Sequence, residues 1–306
     1  MSGLSRRRFL AISAAAGLTG SAGAVPAPRL TWRGVALGAE VSITLDGPPE
    51  LTRPALARAR HEIEAYEARF SLFRAASDLS RLNAAGHLPD LDARWRAMLD
   101  LCDRLHRATG GRFDPTIQPL WLAHATGGDI SAARELVGWG RVALPAPGRR
   151  GLHLDAGQAL SLNGIAQGAA SDAVRQVLRE AGLTRLCVDI GETATAGGPW
   201  RMGVLDPERG RFGRVALQDT ALAVSSPGAL SVAPGIFHIL NPLGGEEPLW
   251  SSVAVVADSA AMADGFSTAA CLMSTEEIAA AATLLGDLRE VLLLDRRGRV
   301  ERIRPA

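Results

Sequence analysis

The stretch SVAVVADSAAMADGFSTAACLM, at residues 252–273, combines a predicted buried strand with a predicted buried helix. Its first part, Ser252–Val256, is a short apolar run of the length and composition of a buried strand. The part that follows, Ala260–Met273, is long and apolar enough for a buried helix. Ser274 and Glu277 then form the capping-box pattern that begins another helix. A buried strand that leads into two helices predicts a sheet covered by helices.

In the rest of the chain, apolar periodicity predicts helices early and strands late. The predicted helices span 53–73, 92–109 and 164–181, whereas residues 109–121 are rich in Gly and Pro and read as a loop. The predicted strands are 41–45, 160–162, 185–190, 200–205, 214–217, 221–225 and 237–240, followed by a C-terminal hairpin whose turn is at 295–298. This order predicts an α+β fold built as one unit.

The N-terminus is typical of an export signal. Residues 1–24 have a basic start, a weakly apolar middle and Ala-Gly-Ala before position 25. The segment Ser-Arg-Arg-Arg-Phe-Leu at 5–10 matches the twin-arginine pattern, which predicts export of the folded protein to the periplasm and a mature chain of residues 25–306. An ordinary secretion signal is the alternative. The apolar run is too short and glycine-rich for a good membrane span, and we expect none in the mature chain.

Composition excludes several classes of protein. The chain has 306 residues, of which 47% are hydrophobic and 21% charged, the balance of a globular protein. Without the three arginines of the signal, 30 basic residues face 32 acidic ones, which disfavours a nucleic-acid binder. There is no lysine, so neither a Schiff-base nor a Walker-type lysine exists. Cys102, Cys187 and Cys271 lie far apart and predict neither a disulfide framework nor a zinc site.

The segment SLNGIAQGAASD, at 161–172, could bind an anion. Gly164 and Gly168 flank Gln167 where a predicted strand leads into a helix. Glycines there allow close approach of a ligand, and the N-terminus of the helix offers N–H groups to an anion. The same glycines could instead serve helix packing alone, and these residues do not decide between the two readings.

The helix within residues 260–273 contains a candidate metal site. Asp264, Ser267 and Thr268 share one face, because they are separated by three and four positions. A carboxylate, a hydroxyl and a carbonyl are hard oxygen ligands that suit Mg²⁺, with water or a substrate phosphate completing the shell. The alternative is that Asp264 caps a helix or bonds to nearby backbone.

Other candidates have ordinary structural explanations as well. Asp114 precedes a proline and is typical of a turn. His238 is a single histidine on a predicted strand. Trp121, Trp139 and Trp200 could stack on a planar ring, but core packing is the usual role of tryptophan.

Seven segments, taken in order from about Gly34 to Asp295, resemble the ApbE family of FAD:protein FMN transferases. The segments that carry the resemblance are ALGAEVSITL (36–45), FSLFRAASDLSRLN (70–83), TGGRFDPTIQPLW (109–121), SLNGIAQG (161–168), DIGETATAGGPWRMGVLDP (189–207), FHILNPLGGEEP (237–248) and SVAVVADSAAMADGFSTAACLM (252–273). The resemblance implies a single ApbE-like domain, similar to a T-fold, with mixed or antiparallel sheets flanked by helices.

The resemblance also implies a reaction. Such enzymes cut the pyrophosphate of FAD, with Mg²⁺, and transfer FMN to a threonine hydroxyl of a target flavoprotein, releasing AMP. The Mg²⁺ ligands it implies are the side chains of Asp264 and Thr268 and the carbonyls of Gly164 and Ser267. Asp264 or His238 is expected to help deprotonate the acceptor threonine. The implied flavin contacts are Leu37, Phe73, Arg112, Phe113, Asp114, Ser161, Gln167 and Leu240.

Several positions depart from the family pattern. Ser161 stands where many members have Asp, Gln167 where many have Lys, and Phe73 where the family has Tyr. Glu192 replaces the second glycine of a pair, and Asn241 replaces a usual Asp. Ser225-Ser226-Pro227 occupies the place of the usual Thr-Ser-Gly.

The segment Asn-Gly-Ile-Ala-Gln-Gly at 163–168 is similar to a subgroup linked to periplasmic flavoproteins of nitrous-oxide respiration, so the expected target is a periplasm-facing respiratory membrane subunit. Two other readings remain: a periplasmic FAD pyrophosphatase that yields FMN and AMP, and a non-catalytic FAD-binding assembly factor.

Overall fold

The computed structural model describes residues 28–146, 150–245 and 247–305. The predicted signal peptide at 1–24 and the predicted start of the mature chain at 25 lie outside the described residues. Within the described ranges, every helix is too short or too polar to cross a membrane.

One eight-stranded sheet organises the fold. With strands numbered along the chain, its order is β1 (Arg29–Ala36), β2 (Ala39–Asp46), β5 (Leu186–Ile190), β6 (Thr193–Ala196), β9 (Ala221–Ser225), β12 (Trp250–Ala257), β13 (Leu288–Asp295) and β14 (Val300–Ile303). Three small pairs accompany it: β3 (His87–Leu88) with β4 (Leu152–His153), β7 (Trp200–Asp206) with β8 (Gly210–Leu217), and β10 (Ser231–Ala233) with β11 (Ile236–Phe237). The pairings of all these strands are antiparallel. Mixed or antiparallel sheets were expected, and the sheets found are antiparallel.

The sheet consists of two halves that meet at a short seam between β6 and β9. Only Thr193 with Leu222 and Ala194 with Ala221 pair across this seam. Strands on one side come from before residue 197 and strands on the other from after residue 220. At one end of the seam Thr195 still donates to the carbonyl of Thr220, whereas at the other end Glu192, Val224 and Ser225 line the cavity described below.

Helices cover one face of the sheet and the β7–β8 hairpin covers part of the other. The helices are α1 (Pro49–Phe70), α2 (Asp78–Ala85), α3 (Ala93–Ala108), α4 (Gln118–Thr126), α5 (Ile130–Glu135), α6 (Ala166–Glu180), α7 (Ala260–Ala270) and α8 (Thr275–Leu285). On β12, Val253 and Val255 pack in the helix-side core, whereas Ala254 and Val256 pack against the hairpin. Both faces of β12 are therefore buried, which explains its continuous apolar run.

Most of the predicted elements are confirmed within one to five residues, including the capping box of Ser274 with Glu277 and the C-terminal hairpin. The predicted strand at 160–162 is wrong. Leu160 and Leu162 are buried, but Leu160 bonds to the side chain of Asn83 instead of a neighbouring strand. The predicted loop at 109–121 is wrong from 118 onward, where α4 begins after a 3-10 turn at Pro115–Ile117. The strand expected at 237–240 is confined to Ile236–Phe237.

Candidate active site

A cavity of about 500 Å³ opens where the ladder between β6 and β9 ends, beside Glu192 and Val224, and its volume is typical of small-molecule sites. Its walls come from nine separate stretches of the described chain. The predicted site residues that line it are Phe73, Arg112, Phe113, Asp114, Ser161, Gly164, Gln167, His238, Leu240, Asp264 and Thr268. Leu37 and Ser267, which were also predicted, are buried and do not line the cavity.

Asp264 presents a buried carboxylate to the cavity from the middle of α7. Asp264 is only 3% exposed, and its Oδ2 accepts a hydrogen bond from the backbone N–H of Gly168 at 3.0 Å. Oδ1 accepts no hydrogen bond from any residue that the structure describes. Burial raises the pKa of Asp264 to about 7; the Gly168 N–H opposes this shift and the negative charge of Asp172 adds to it. A carboxylate held in this way is a strong candidate for a cation ligand.

The contact between α6 and α7 depends on a glycine. A Cβ placed on Gly168 would lie 2.3 Å from the carbonyl oxygen of Ala260, so only glycine allows this approach. Asp172, one turn later in α6, accepts the backbone N–H groups of Ala260 and Ala261 at 2.9 Å each and thereby caps α7. The glycine therefore serves helix packing and, through its N–H, also fixes Asp264.

Thr268 lies one turn after Asp264 and its hydroxyl also faces the cavity. A Cβ on Gly164 would lie 2.9 Å from Thr268 Oγ1, so the backbone of Gly164 runs against this hydroxyl. Ser267 points elsewhere. Its Oγ donates to the carbonyl of Asp264 at 3.0 Å, and its carbonyl accepts the N–H and the thiol of Cys271.

His238 is a second titratable group of the cavity. Its Nδ1 lies 3.0 Å from the carbonyl oxygen of Pro227 and 3.2 Å from that of Leu230. Because carbonyls only accept, Nδ1 carries the hydrogen and Nε2 is left as the acceptor nitrogen. Burial lowers the pKa of His238, and the two carbonyls oppose this shift. The imidazole is therefore neutral at neutral pH and can accept a proton at Nε2.

The loop at 112–114 is held by its own side chains. Asp114 Oδ1 accepts the N–H and the hydroxyl of Thr116 at 2.8 and 2.6 Å, and Oδ2 accepts the N–H of Trp139 at 3.0 Å. This is the turn-forming role expected of an Asp before Pro. Arg112 donates to Glu277 Oε1 at 2.6 Å and to the carbonyl of Leu272 at 3.1 Å. The guanidinium thus ties the loop to the start of α8.

Aromatic and apolar side chains form the outer part of the cavity. Phe73 lines it and is 64% exposed, which is unusual for a phenylalanine. Of the three tryptophans considered as stacking partners, Trp121 lines the cavity, whereas Trp139 and Trp200 are buried in the core. The outer part therefore offers ring faces to a planar ligand.

The sequence did not identify Glu192 and Ser225 as site residues, yet both line the cavity. Glu192 Oε2 accepts the N–H of Val224 at 3.1 Å, and Ser225 Oγ lies 2.7 Å from Ser267 Oγ. Burial raises the pKa of Glu192, and the nearby charges of Asp264 and Asp189 raise it further. In the sequence, these two residues stood out only because both depart from the family pattern. Strand pairing, and not spacing along the chain, brings them to α7.

The donor set fits a hard cation. The described residues contain no cluster of three or more His, Cys, Asp or Glu side chains that could hold a metal ion, so a site for a soft metal is not found there. One carboxylate, one hydroxyl and the adjacent backbone of Gly164 are the ligands that Mg²⁺ accepts when water and phosphate complete its shell.

A sequence profile of the ApbE family matches residues 37–292. None of the curated proteins matches the chain. Among solved structures, flavin transferase ApbE from Vibrio cholerae is similar with 22% identity and a TM-score of 0.77, over 92% of this chain and 98% of that one. Pseudomonas stutzeri flavinyl transferase ApbE in its apo form has 23% identity and a TM-score of 0.75, over 92% and 97% of the two chains. The ApbE protein from Thermotoga maritima has 23% identity and a TM-score of 0.79, over 90% and 97%.

Proposed function

The chain belongs to the ApbE family of flavin transferases, and from this we propose that it cleaves the pyrophosphate of FAD with Mg²⁺ and transfers FMN to a threonine hydroxyl of a target flavoprotein. The observation that carries the proposal is that one cavity brings together Asp264 and Thr268, which share α7, and His238, which lies on a separate segment of the chain. AMP is the second product.

Asp264 and Thr268 would hold the cation by side chain, next to the carbonyl of Gly164. The carbonyl of Ser267, the fourth ligand that the resemblance implies, already accepts two hydrogen bonds from Cys271. When bound, Mg²⁺ supplies positive charge that neutralises phosphate oxygens and the leaving AMP.

His238 is the residue we assign to proton transfer, because Asp264 is engaged as a ligand. The threonine oxygen attacks the phosphorus of the FMN half and forms a new P–O bond. The bond from that phosphorus to the bridging oxygen breaks, and AMP leaves with the electron pair. His238 Nε2 accepts the hydroxyl proton, while Nδ1–H stays bound to the carbonyls of Pro227 and Leu230.

The flavin would occupy the outer, aromatic part of the cavity. Phe73 offers an exposed ring face, and Trp121 and Leu240 line the same space. Arg112 is already paired with Glu277, so it contributes less charge to a phosphate than an unpaired arginine would. Arg112 would therefore leave most of the pyrophosphate charge to the cation that Asp264 and Thr268 would hold.

We further propose a periplasmic location, reached by the twin-arginine route, and a target that is a periplasm-facing respiratory membrane subunit, as in the nitrous-oxide-associated subgroup. The support is the sequence of residues 5–10 and of residues 163–168. Fusion of residues 1–24 to a reporter that is exported only when folded tests the location. Export that persists when Arg6 and Arg7 are both replaced by Gln would contradict the twin-arginine assignment.

The test of the activity uses residues 25–306 with FAD, Mg²⁺ and an acceptor domain that carries a Ser/Thr-Gly-Ala-Thr segment. We expect a fluorescent band on a denaturing gel and an intact-mass gain of one FMN on the acceptor, both lost with EDTA. Asp264→Asn should abolish transfer while FAD binding largely survives. Asp100→Asn, an exposed aspartate on α3, is the matched control.

The other outcomes identify the alternatives. AMP release without an acceptor adduct would make the protein an FAD pyrophosphatase. Bound FAD with neither product, across two acceptor domains, would make it a non-catalytic flavin-binding protein. Full turnover in excess EDTA would refute the role of Mg²⁺.

A further inference from the structure

Ser225 lines the cavity and lies beside two hydroxyl residues of α7, Ser267 and Thr268. Its Oγ is 2.7 Å from Ser267 Oγ and 3.5 Å from Thr268 Oγ1. These are three hydroxyl groups in a row, and each can donate one hydrogen only. The direction of each hydrogen can therefore be worked out from the acceptors at the ends of the row.

The hydrogen of Ser267 is committed first. Ser267 Oγ lies 3.0 Å from the carbonyl oxygen of Asp264, which can only accept, so Ser267 donates there. In the pair with Ser225, Ser267 Oγ must then be the acceptor and Ser225 the donor. The lone pairs of Ser225 Oγ are consequently free to accept the hydrogen of Thr268.

The hydroxyl of Thr268 needs such an acceptor if it is to bind a cation. A neutral hydroxyl ligates through a lone pair and keeps its hydrogen, which must point away from the positive charge. Within the described residues, Ser225 Oγ is the only hydrogen-bonding partner of Thr268 Oγ1. The separation of 3.5 Å is that of a long and weak hydrogen bond.

The backbone holds Ser225 firmly in this place. Ser225 pairs with Val253 in the ladder between β9 and β12. The N–H of the preceding Val224, which lies beyond the last paired position of β6, is taken by Glu192 Oε2 at 3.1 Å. Glu192 is itself anchored, because its carbonyl accepts the hydroxyl of Ser171 on α6. Ser225 is therefore held through β12 on one side and, by way of Val224, through Glu192 at the start of β6 on the other.

We propose that Ser225 is a positioning residue of the cation site: it accepts the hydroxyl hydrogen of Thr268 and thereby turns the lone pairs of Thr268 toward the cavity. This inference rests on the proposed function only in that Thr268 is taken as a cation ligand. It assigns a role to a position at which the chain departs from its family pattern. Removing the acceptor should weaken cation binding, since loss of such an outer partner commonly costs 10-fold to 100-fold in metal affinity.

The test measures Mn²⁺ binding to residues 25–306 by electron paramagnetic resonance, with no acceptor protein. We expect Ser225→Ala to weaken Mn²⁺ binding about 10-fold and to leave FAD binding without metal unchanged. Ser225→Thr restores a hydroxyl at the same place and should bind Mn²⁺ within about twofold of the wild type. Ser131→Ala, an exposed serine on α5, is the control for loss of a hydroxyl.

Circular dichroism and urea unfolding of each variant separate a specific effect from misfolding. Wild-type Mn²⁺ affinity in a folded Ser225→Ala variant would overturn the proposal, as would a Ser225→Thr variant as weak as Ser225→Ala. A wild-type protein that binds no Mn²⁺ would overturn this proposal together with the cation site. A wild-type protein that binds Mn²⁺ but transfers no FMN would overturn the proposed function and leave this test decisive.

Discussion

Gln167 donates from Nε2 to the carbonyl oxygen of Leu37 at 3.2 Å and so joins the first turn of α6 to the turn between β1 and β2. Leu37 has a φ of +49°, an uncommon conformation for a leucine, and its N–H is held by Glu67 Oε1 at 2.9 Å. Gln167 therefore has a structural function in this chain, at the position where many family members carry a lysine.

Replacing Gln167 by Lys should tighten FAD binding. The new ammonium group would face the cavity and attract the pyrophosphate, with a gain of roughly 1 kcal/mol, or about fivefold in Kd, at low salt. Fluorescence titration with FAD measures the change. Gln176→Lys, an exposed position on the same helix, is the control. A gain that is equal in both variants, or that persists in 0.5 M salt, would contradict a local charge effect.

Replacing Phe73 by Ala should weaken FAD binding by about 1–2 kcal/mol, or roughly 5-fold to 30-fold, because the exposed ring loses its stacking face. Phe73→Tyr keeps the ring and should bind within about twofold. Leu284→Ala removes an equally exposed apolar side chain from α8 and serves as the control. Unchanged affinity in Phe73→Ala would place the isoalloxazine elsewhere in the cavity.

Replacing Gly168 by Ala should destabilise the protein by about 2–3 kcal/mol, because the added methyl group meets the backbone carbonyl of Ala260. It should also weaken Mn²⁺ binding, since the Gly168 N–H no longer holds Asp264. Gly140→Ala, where a Cβ meets no atom within 4 Å, is the control. Urea unfolding checks the first effect. Equal stability of the two variants would show that α6 and α7 can separate without cost.

Asp264 should make the stability of the metal-free protein depend on pH. Burial raises its pKa to about 7, from the usual 3.8. Below the unfolded value both states are protonated; between the two values the folded state retains a proton that the unfolded chain has lost. The free energy of unfolding should therefore fall as pH rises from 4 to 7, by roughly 1–3 kcal/mol, and then level off.

Urea unfolding in EDTA at several pH values tests this slope. Asp264→Asn, which does not titrate, should show a smaller fall, with Glu192 contributing in the same direction. Mg²⁺ should stabilise the wild type more at pH 8 than at pH 5, because a cation and a proton compete for the same carboxylate. An identical slope in the wild type and in Asp264→Asn would mean that Asp264 is ionised throughout.

Local patterns predicted most of the elements of this fold, and they failed where tertiary contacts decide. Residues 160–162 alternate like a strand because Leu160 and Leu162 cross the core, but the side chain of Asn83 takes the backbone groups that a neighbouring strand would use. Strand β1 went unpredicted, since its apolar side chains are only partly buried at the edge of the sheet. Helix α4 was hidden by Pro119, which is compatible with the first turn of a helix.

The residues of the site, too, were predictable only where spacing along one helix brings them together. Asp264 and Thr268 share a helix face, so their spacing predicts that they meet. Ser225 and Glu192 reach α7 only through the order of β6, β9 and β12 in the sheet, which no local spacing encodes. Leu37 was inferred from the family pattern alone; its side chain is buried in the core, and its backbone is held by Glu67 and Gln167.

The order of the strands in the sheet also determines when a newly made chain acquires its site. The walls of the cavity include α7, and β12, which precedes α7, pairs with β13 at residues 288–295. A nascent chain therefore cannot complete the cavity until β13 has left the exit tunnel. On the proposed function, FAD binds only after most of the sheet has formed, and the supply of FAD cannot guide the early steps of folding.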